Sequence, residues 1–183
     1  MSLSAFRHAP VLVSGVCYGQ HEVEVTLDAA SCATQIAARV SARRVTRLWS
    51  SPLARCAGPA RIVAARLGAP LVIDRRLLEI GFGAWEGRRW DAIAREDASA
   101  YAAWAEGWET HGPPGGESAL ALEARVRAWY SELGDEGEQV LVAHAGVMRA
   151  LGVITEGLSW AEAMAEPVPH LEERRYILSR GRR

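Results

Sequence analysis

The sequence predicts an α/β fold with a largely parallel central sheet covered on both faces. Two observations carry that expectation. Short apolar runs alternate along the chain with longer segments of helical period. Punctuation residues separate them at the expected places, with Ser51-Pro52 as a helix-start signal and Gly68 as a stop.

Taken in order, Leu3 to Phe6 is a first strand. Asp28 can cap a helix running to about Arg43, with Ile36 and Val40 four apart on one face. Val45 to Trp49 is a second strand. Ser51 as N-cap and Pro52 at the first helical position open a helix that runs through Leu67. Leu71-Val72-Ile73 is a short third strand. Trp85 to Trp108 holds one or two helices, ended by His111-Gly112-Pro113-Pro114-Gly115-Gly116. Ser118 to Leu133 is helical, with Leu122, Val126 and Trp129 on one side. Gln139 to Ala143 is the clearest strand, Gly146 to Ile154 a helix, and Arg175 to Leu178 a last strand. No repeat or linker divides the chain, so residues 1–183 are read as one domain.

Composition narrows the function. The chain has 183 residues, 49% of them hydrophobic, which suits an ordered core. A formal net charge of −1 and the lack of a basic stripe argue against a nucleic-acid partner. The short tail Arg180-Gly181-Arg182-Arg183 is the only basic block. No run approaches the roughly 18 apolar residues of a membrane span. The N-terminus lacks the layout of a signal peptide, so the expected compartment is the cytoplasm. Cys17, Cys32 and Cys56 are widely spaced and read as free thiols. All 21 Lys+Arg positions are arginine, which excludes P-loop, Schiff-base and kinase-type lysine chemistry.

In open α/β sheets, ligands bind beyond the carboxyl ends of the strands. The first strand delivers Arg7-His8 there. The second delivers Ser50-Ser51-Pro52, with Arg55 one turn on. The segment after the third delivers Glu79, and the strand at 139–143 delivers His144-Ala145-Gly146. Two arginines beside a helix N-terminus suit an anion, because guanidinium forks match phosphoryl oxygens. A histidine among such cations is held neutral and is a nucleophile for phosphorus. Glu79 is the candidate general acid for the leaving alkoxide. His144 is expected as a second, cationic donor to the phosphoryl oxygens.

Five segments carry a resemblance: "FRHAP", "SSPLARC", "LLEIGFGAWEG", "PPGGES" and "VLVAHAGVMRAL". In order and spacing they are similar to the histidine phosphatase superfamily, also called phosphoglycerate-mutase-like, over residues 3 to about 155. The resemblance implies a three-layer α/β/α sandwich with a mostly parallel sheet, and a phosphohistidine intermediate. By it, His8 matches the nucleophile, Arg7, Arg55 and His144 the phosphate pocket, and Glu79 the proton donor. The implied partner is a small-molecule phosphate ester, with no cofactor and no metal.

Within the family, "RHAPVLVSGVCYGQHEVEV" resembles the α-ribazole phosphatases of cobalamin nucleotide-loop assembly. Ala9-Pro10 after the histidine favours that branch, because proline has no N–H to offer phosphate and stiffens the chain. Ala9 stands where most members have glycine, and Gln20 where a basic residue is usual. Gln20 and Ala145 are placed on the substrate side. The alternatives are a broad-specificity phosphatase, a phosphoglycerate mutase and a non-catalytic phospho-ligand-binding module. The short chain leaves little lid material to exclude water, which favours hydrolysis over mutase chemistry.

Other polar residues receive plainer readings. Glu86 braces its loop, and Glu117 and Ser118 cap the following helix, with Glu117 a lesser candidate for the pocket. His21, His111 and His170 are surface or loop histidines without metal spacing. Gly81 to Gly87 is not GxGxxG, and no GxSxG elbow is present. Trp104 and Trp108, four apart, are assigned to helix packing, with the mouth of the pocket as the lesser reading.

Overall fold

The structure is a computed structural model that describes residues 2–134 and 137–177. Five strands form one sheet in the order β3-β2-β4-β1-β5. They are β1 (Ser2–Arg7), β2 (Val45–Ser50), β3 (Leu71–Ile73), β4 (Glu138–Ala143) and β5 (Glu173–Ile177). The first four run parallel, and β5 lies antiparallel against β1. The expected last strand therefore exists, two residues earlier and at the sheet edge; Leu178 and the arginine tail lie outside the described residues.

The helices cover both faces, because alternate strand residues are apolar on both sides. Leu3, Ala5, Trp49, Leu141 and Ala143 face one layer, with α5 (Ala119–Tyr130), α6 (Ala145–Glu156) and α7 (Trp160–Ala165). Phe6, Leu48, Val140 and Val142 face the other, with α1 (Ala29–Val40) and α2 (Ala54–Leu67). Leu122, Val126 and Trp129 of α5 are buried together, as their spacing predicts. The result is a three-layer α/β/α arrangement.

Local chemistry sets the helix limits. Asp28 caps α1 by accepting from Ser31 N at 2.7 Å, and the helix ends at Val40, short of Arg43. Gly68 ends α2 in the left-handed region at φ 62°, where a side chain would be strained. The start of α2 differs from expectation. Ser51 and Pro52 lie before the helix, and Leu53 is its N-cap. Ser51 N instead donates to Val142 O at 3.2 Å, extending the sheet by one residue.

Residues 85–108 hold two helices, α3 (Trp90–Glu96) and α4 (Ala98–Gly107), after a 3-10 turn at Gly83–Trp85. They build a satellite core around Cys17, Trp85 and Ile93. Helix α7 is not among the elements expected from periodicity. Its signal is Ser159-x-x-Glu162, a capping box in which each side chain accepts from the other residue's backbone N–H.

Candidate active site

Parallel register brings the expected residues to one sheet edge. Arg7 pairs with Ala143, and Ser50 with Val142. His8, Ser51 and His144 therefore leave the sheet side by side. The rings of His8 and His144 lie 5.2 Å apart, edge to face.

His8 is 1% exposed. Its backbone N–H donates to Ala143 O at 3.1 Å. Its Nδ1 lies 2.6 Å from Ala9 O. A carbonyl only accepts, so Nδ1 carries the proton and the lone pair is on Nε2. Burial, aided by the Arg55 and Arg7 guanidinium groups, pushes the His8 pKa down to about 3 against the backbone hydrogen bond that raises it. His144 is fully buried, with Nε2 2.8 Å from Ser51 Oγ and 3.5 Å from Cys56 Sγ. Burial, then Arg55, holds its pKa well below the ordinary value. Burial and the Arg55 charge thus favour a neutral imidazole with one N–H over the expected cationic donor.

The two arginines are anchored but not satisfied. Arg7 Nη1 donates to Val168 O at 2.9 Å, and Arg55 Nη1 and Nη2 donate to His21 O and Gly19 O at 2.8 and 2.5 Å. The Nε–H of each is buried without a partner among the described residues. An unpaired buried donor costs about 1–3 kcal/mol. Two of them, on two cations beside the His8 imidazole, fit an anion-binding role.

Glu79 is held at the start of α6. Gly146 N donates to its Oε1 and Oε2 at 3.1 and 3.2 Å, and Ile80 N donates to Oε1 at 2.9 Å. A Cβ on Gly146 would lie 2.2 Å from Glu79 Oε1. Gly146→Ala should therefore displace the carboxylate and lower kcat by about 10²-fold, the scale expected for a misplacement near 1 Å. Steady-state kinetics with melting curves as the folding control check this; unchanged kcat would contradict it.

The loop carrying Glu79 is braced by Arg125, Glu117 and Gln20. Arg125 forks onto Glu117 at 2.7 and 2.8 Å and donates to the carbonyls of Arg76, Leu78 and Glu79. Glu117 also accepts from Gly81 N. Gln20, expected to touch substrate, gives its amide to Glu79 O at 2.9 Å and approaches Glu117 Oε2 at 3.5 Å. It therefore lies in the brace, outside the cleft described next. Glu86 accepts from the backbones of Gln20, His21 and Phe82, the bracing role its position suggests. Ser118 caps α5 as expected.

A cleft of about 520 Å³ opens over Arg7, Glu79, Ala145 and Gly146. Its wall includes Phe82, Trp90, Trp104, Trp108, Trp160 and Met164. Trp104 and Trp108 thus both pack and line the cleft. Trp104 stacks on Trp90, and Trp108 meets Trp160 edge to face. Arg149, one turn after Ala145, also reaches the cleft and has no carboxylate ion-pair partner among the described residues. His170 is not a remote loop residue. Its ring lies 5.4 Å from that of His8. His21 and His111 are exposed.

The residue pattern matches the histidine phosphatase superfamily (branch 1) over residues 5–174. The chain belongs to that superfamily. Among its relatives, the adenosylcobalamin/alpha-ribazole phosphatase of Salmonella typhimurium is 35% identical over 108 residues, covering 57% of this chain and 54% of that protein. A Salmonella choleraesuis protein named "Probable phosphoglycerate mutase GpmB" is 30% identical over 148 residues, covering 79% of this chain and 69% of that one. The crystal structure of the alpha-ribazole phosphatase from Shigella flexneri superposes with a TM-score of 0.86 at 24% identity, covering 98% of this chain and 92% of that one. That likeness is one of fold. The chain spans little more than half the length of the first curated relatives it matches.

The buried imidazoles of this superfamily member make its stability pH-dependent. His8, His144 and His170 all have pKa values below the ordinary value of 6.5. Above that value the unfolded chain binds no extra protons. As pH falls from 6.5 toward 3, unfolded imidazoles protonate while the folded His8 does not, so stability is lost. Each fully buried imidazole contributes up to about 1.4 kcal/mol per pH unit in that window, and half-buried His170 less. Melting temperature should fall between pH 7.5 and 5, and inorganic phosphate should narrow the difference by favouring the charged rings. A melting temperature constant over that range would contradict the assignment.

Among the described residues, no group of three or more His, Cys, Asp or Glu side chains is placed to hold a metal ion. No described helix is long and apolar enough to cross a membrane.

Proposed function

We propose that this chain is a metal-independent phosphomonoester hydrolase acting through a phosphohistidine on His8. The observation that carries the reading is the Nε2 lone pair of a buried, neutral His8 beside two cations with unpaired buried N–H groups. Nε2 attacks phosphorus, and the bond from phosphorus to the ester oxygen breaks. Glu79, in its acid form, protonates the departing oxygen, which leaves as an alcohol. Arg7 and Arg55 stabilise the charge on the phosphoryl oxygens, and His144 donates one N–H. Glu79, now a carboxylate, takes a proton from the water that attacks phosphorus; the P–Nε2 bond breaks, its electron pair returns to His8, and inorganic phosphate leaves.

The cleft supports an aromatic leaving group. Four tryptophans and a phenylalanine line it, and such walls stack on planar rings. Together with the relative named adenosylcobalamin/alpha-ribazole phosphatase, this makes α-ribazole 5′-phosphate the first substrate to test. The relative named as a phosphoglycerate mutase keeps phosphoryl transfer between glycerate phosphates as the second reading.

The test is hydrolysis of an aryl phosphate with chelator present, followed by kcat/KM for α-ribazole 5′-phosphate and 3-phosphoglycerate. The expected order is α-ribazole phosphate above glycerate phosphate. Loss of activity in chelator would sink the metal-independent mechanism. Faster transfer than hydrolysis on glycerate phosphates would make it a mutase. Phosphate binding without any turnover would make it a binding module.

A further inference from the structure

We propose that His170 is a positioning residue for the nucleophile, aligning His8 through its main chain. The inference rests on the phosphohistidine reading above.

Three contacts fix His8 in sequence. Its N–H is donated to Ala143 O, its ring Nδ1–H to Ala9 O, and its own carbonyl accepts from His170 Nδ1 at 2.6 Å. The last two act on successive peptide groups. The ring is aimed by the carbonyl of Ala9, and the peptide joining His8 to Ala9 is held by His170. No other group among the described residues donates to the His8 carbonyl. Without His170, a carbonyl on a residue only 1% exposed loses its partner. The peptide is then free to rotate, and the Ala9 carbonyl that orients the ring moves with it.

The antiparallel edge explains how a residue so late in the chain arrives there. β5 pairs with β1 in reverse, with Glu173 opposite Phe6. The residues leading into β5 therefore lie beside the residues leaving β1. Leu171 N donates to Arg7 O at 3.0 Å, and Arg7 Nη1 donates to Val168 O. The segment 168–171 thus grips both Arg7 and His8. Leu171 holds a positive φ of 58°, uncommon for a leucine and a sign that surrounding contacts enforce the turn.

Two substitutions separate positioning from mere packing. His170→Asn places an amide N–H at the same δ position as Nδ1. His170→Phe keeps a ring without a donor. On an aryl phosphate, His170→Phe should lower kcat by roughly 10- to 100-fold with KM within about twofold. His170→Asn should recover most of that loss. A phenylalanine variant with native kcat, or a folded asparagine variant no better than it, would overturn the proposal.

If His170→Phe does not fold, the native protein still decides. Labelled with ¹⁵N-histidine, it should show a slowly exchanging, downfield Nδ1–H resonance that His170→Asn removes; its absence overturns the contact. His8→Ala, run in parallel, separates the two ideas. An active His8→Ala defeats the phosphohistidine reading and the alignment role that rests on it. An inactive His8→Ala beside a fully active His170→Phe defeats the positioning role alone.

Discussion

His8→Ala should lower turnover of an aryl phosphate at least about a thousandfold while the protein remains folded. The direction follows from the missing Nε2, whose lone pair is the one assigned to the attack. Of the neighbouring imidazoles, His144 has its Nε2 against Ser51 Oγ. The fold should survive, because His8 N–H bonding to Ala143 is a main-chain interaction that alanine retains. A stability gain at low pH is expected as well. Removing an imidazole that stays neutral down to about pH 3 removes its share of the acid sensitivity. Rapid quench of the native protein should trap an acid-labile phosphoryl group that the variant lacks. Normal labelling of the variant would place the intermediate elsewhere.

Arg55→Met should produce the second-largest loss, roughly 10²- to 10³-fold in kcat/KM with weaker binding of inorganic phosphate. One cation about 4 Å from a phosphoryl oxygen is worth about 4 kcal/mol at an effective dielectric near 20, before desolvation is subtracted. Part of the loss is structural. Arg55 Nη1 and Nη2 hold the carbonyls of His21 and Gly19, and its guanidinium lies over the Tyr18 ring. Arg55→Lys separates the contributions, since it retains charge but not the planar fork. It should fall between native and Arg55→Met. Calorimetry with phosphate, alongside melting curves, checks the ordering. A folded Arg55→Met with native phosphate affinity would remove Arg55 from the pocket.

The residues that sequence reading nominated share a location rule. His8, Arg55 and His144 follow directly on strands, or one helical turn from them, and parallel register carries such residues to one edge. Their spacing was legible because each is local to an element that its own segment predicts. Arg125 and Arg149 were available by helix spacing, seven residues after Ser118 and four after Ala145. Neither carries a distinctive motif of its own. Gln20 shows the limit of position without conformation. The loop turns its amide toward Glu79 and Glu117, and nothing in the neighbouring residues announces that turn.

The alternation of strand and helix, the caps at Asp28 and Ser118, the stop at Gly68 and the cluster of Arg7, His8, Arg55, Glu79 and His144 could be derived from sequence alone. Periodicity, capping chemistry and the carboxyl-end rule are local, and they act on contiguous residues. Tertiary structure decided three other matters. It ran β5 antiparallel, which delivers His170 to the His8 carbonyl from more than 160 residues away. It buried His144 deeply enough to disfavour its charge. It gathered tryptophans from separate segments into one cleft wall. Each depends on which distant segments share a neighbourhood, and local spacing carries no record of that.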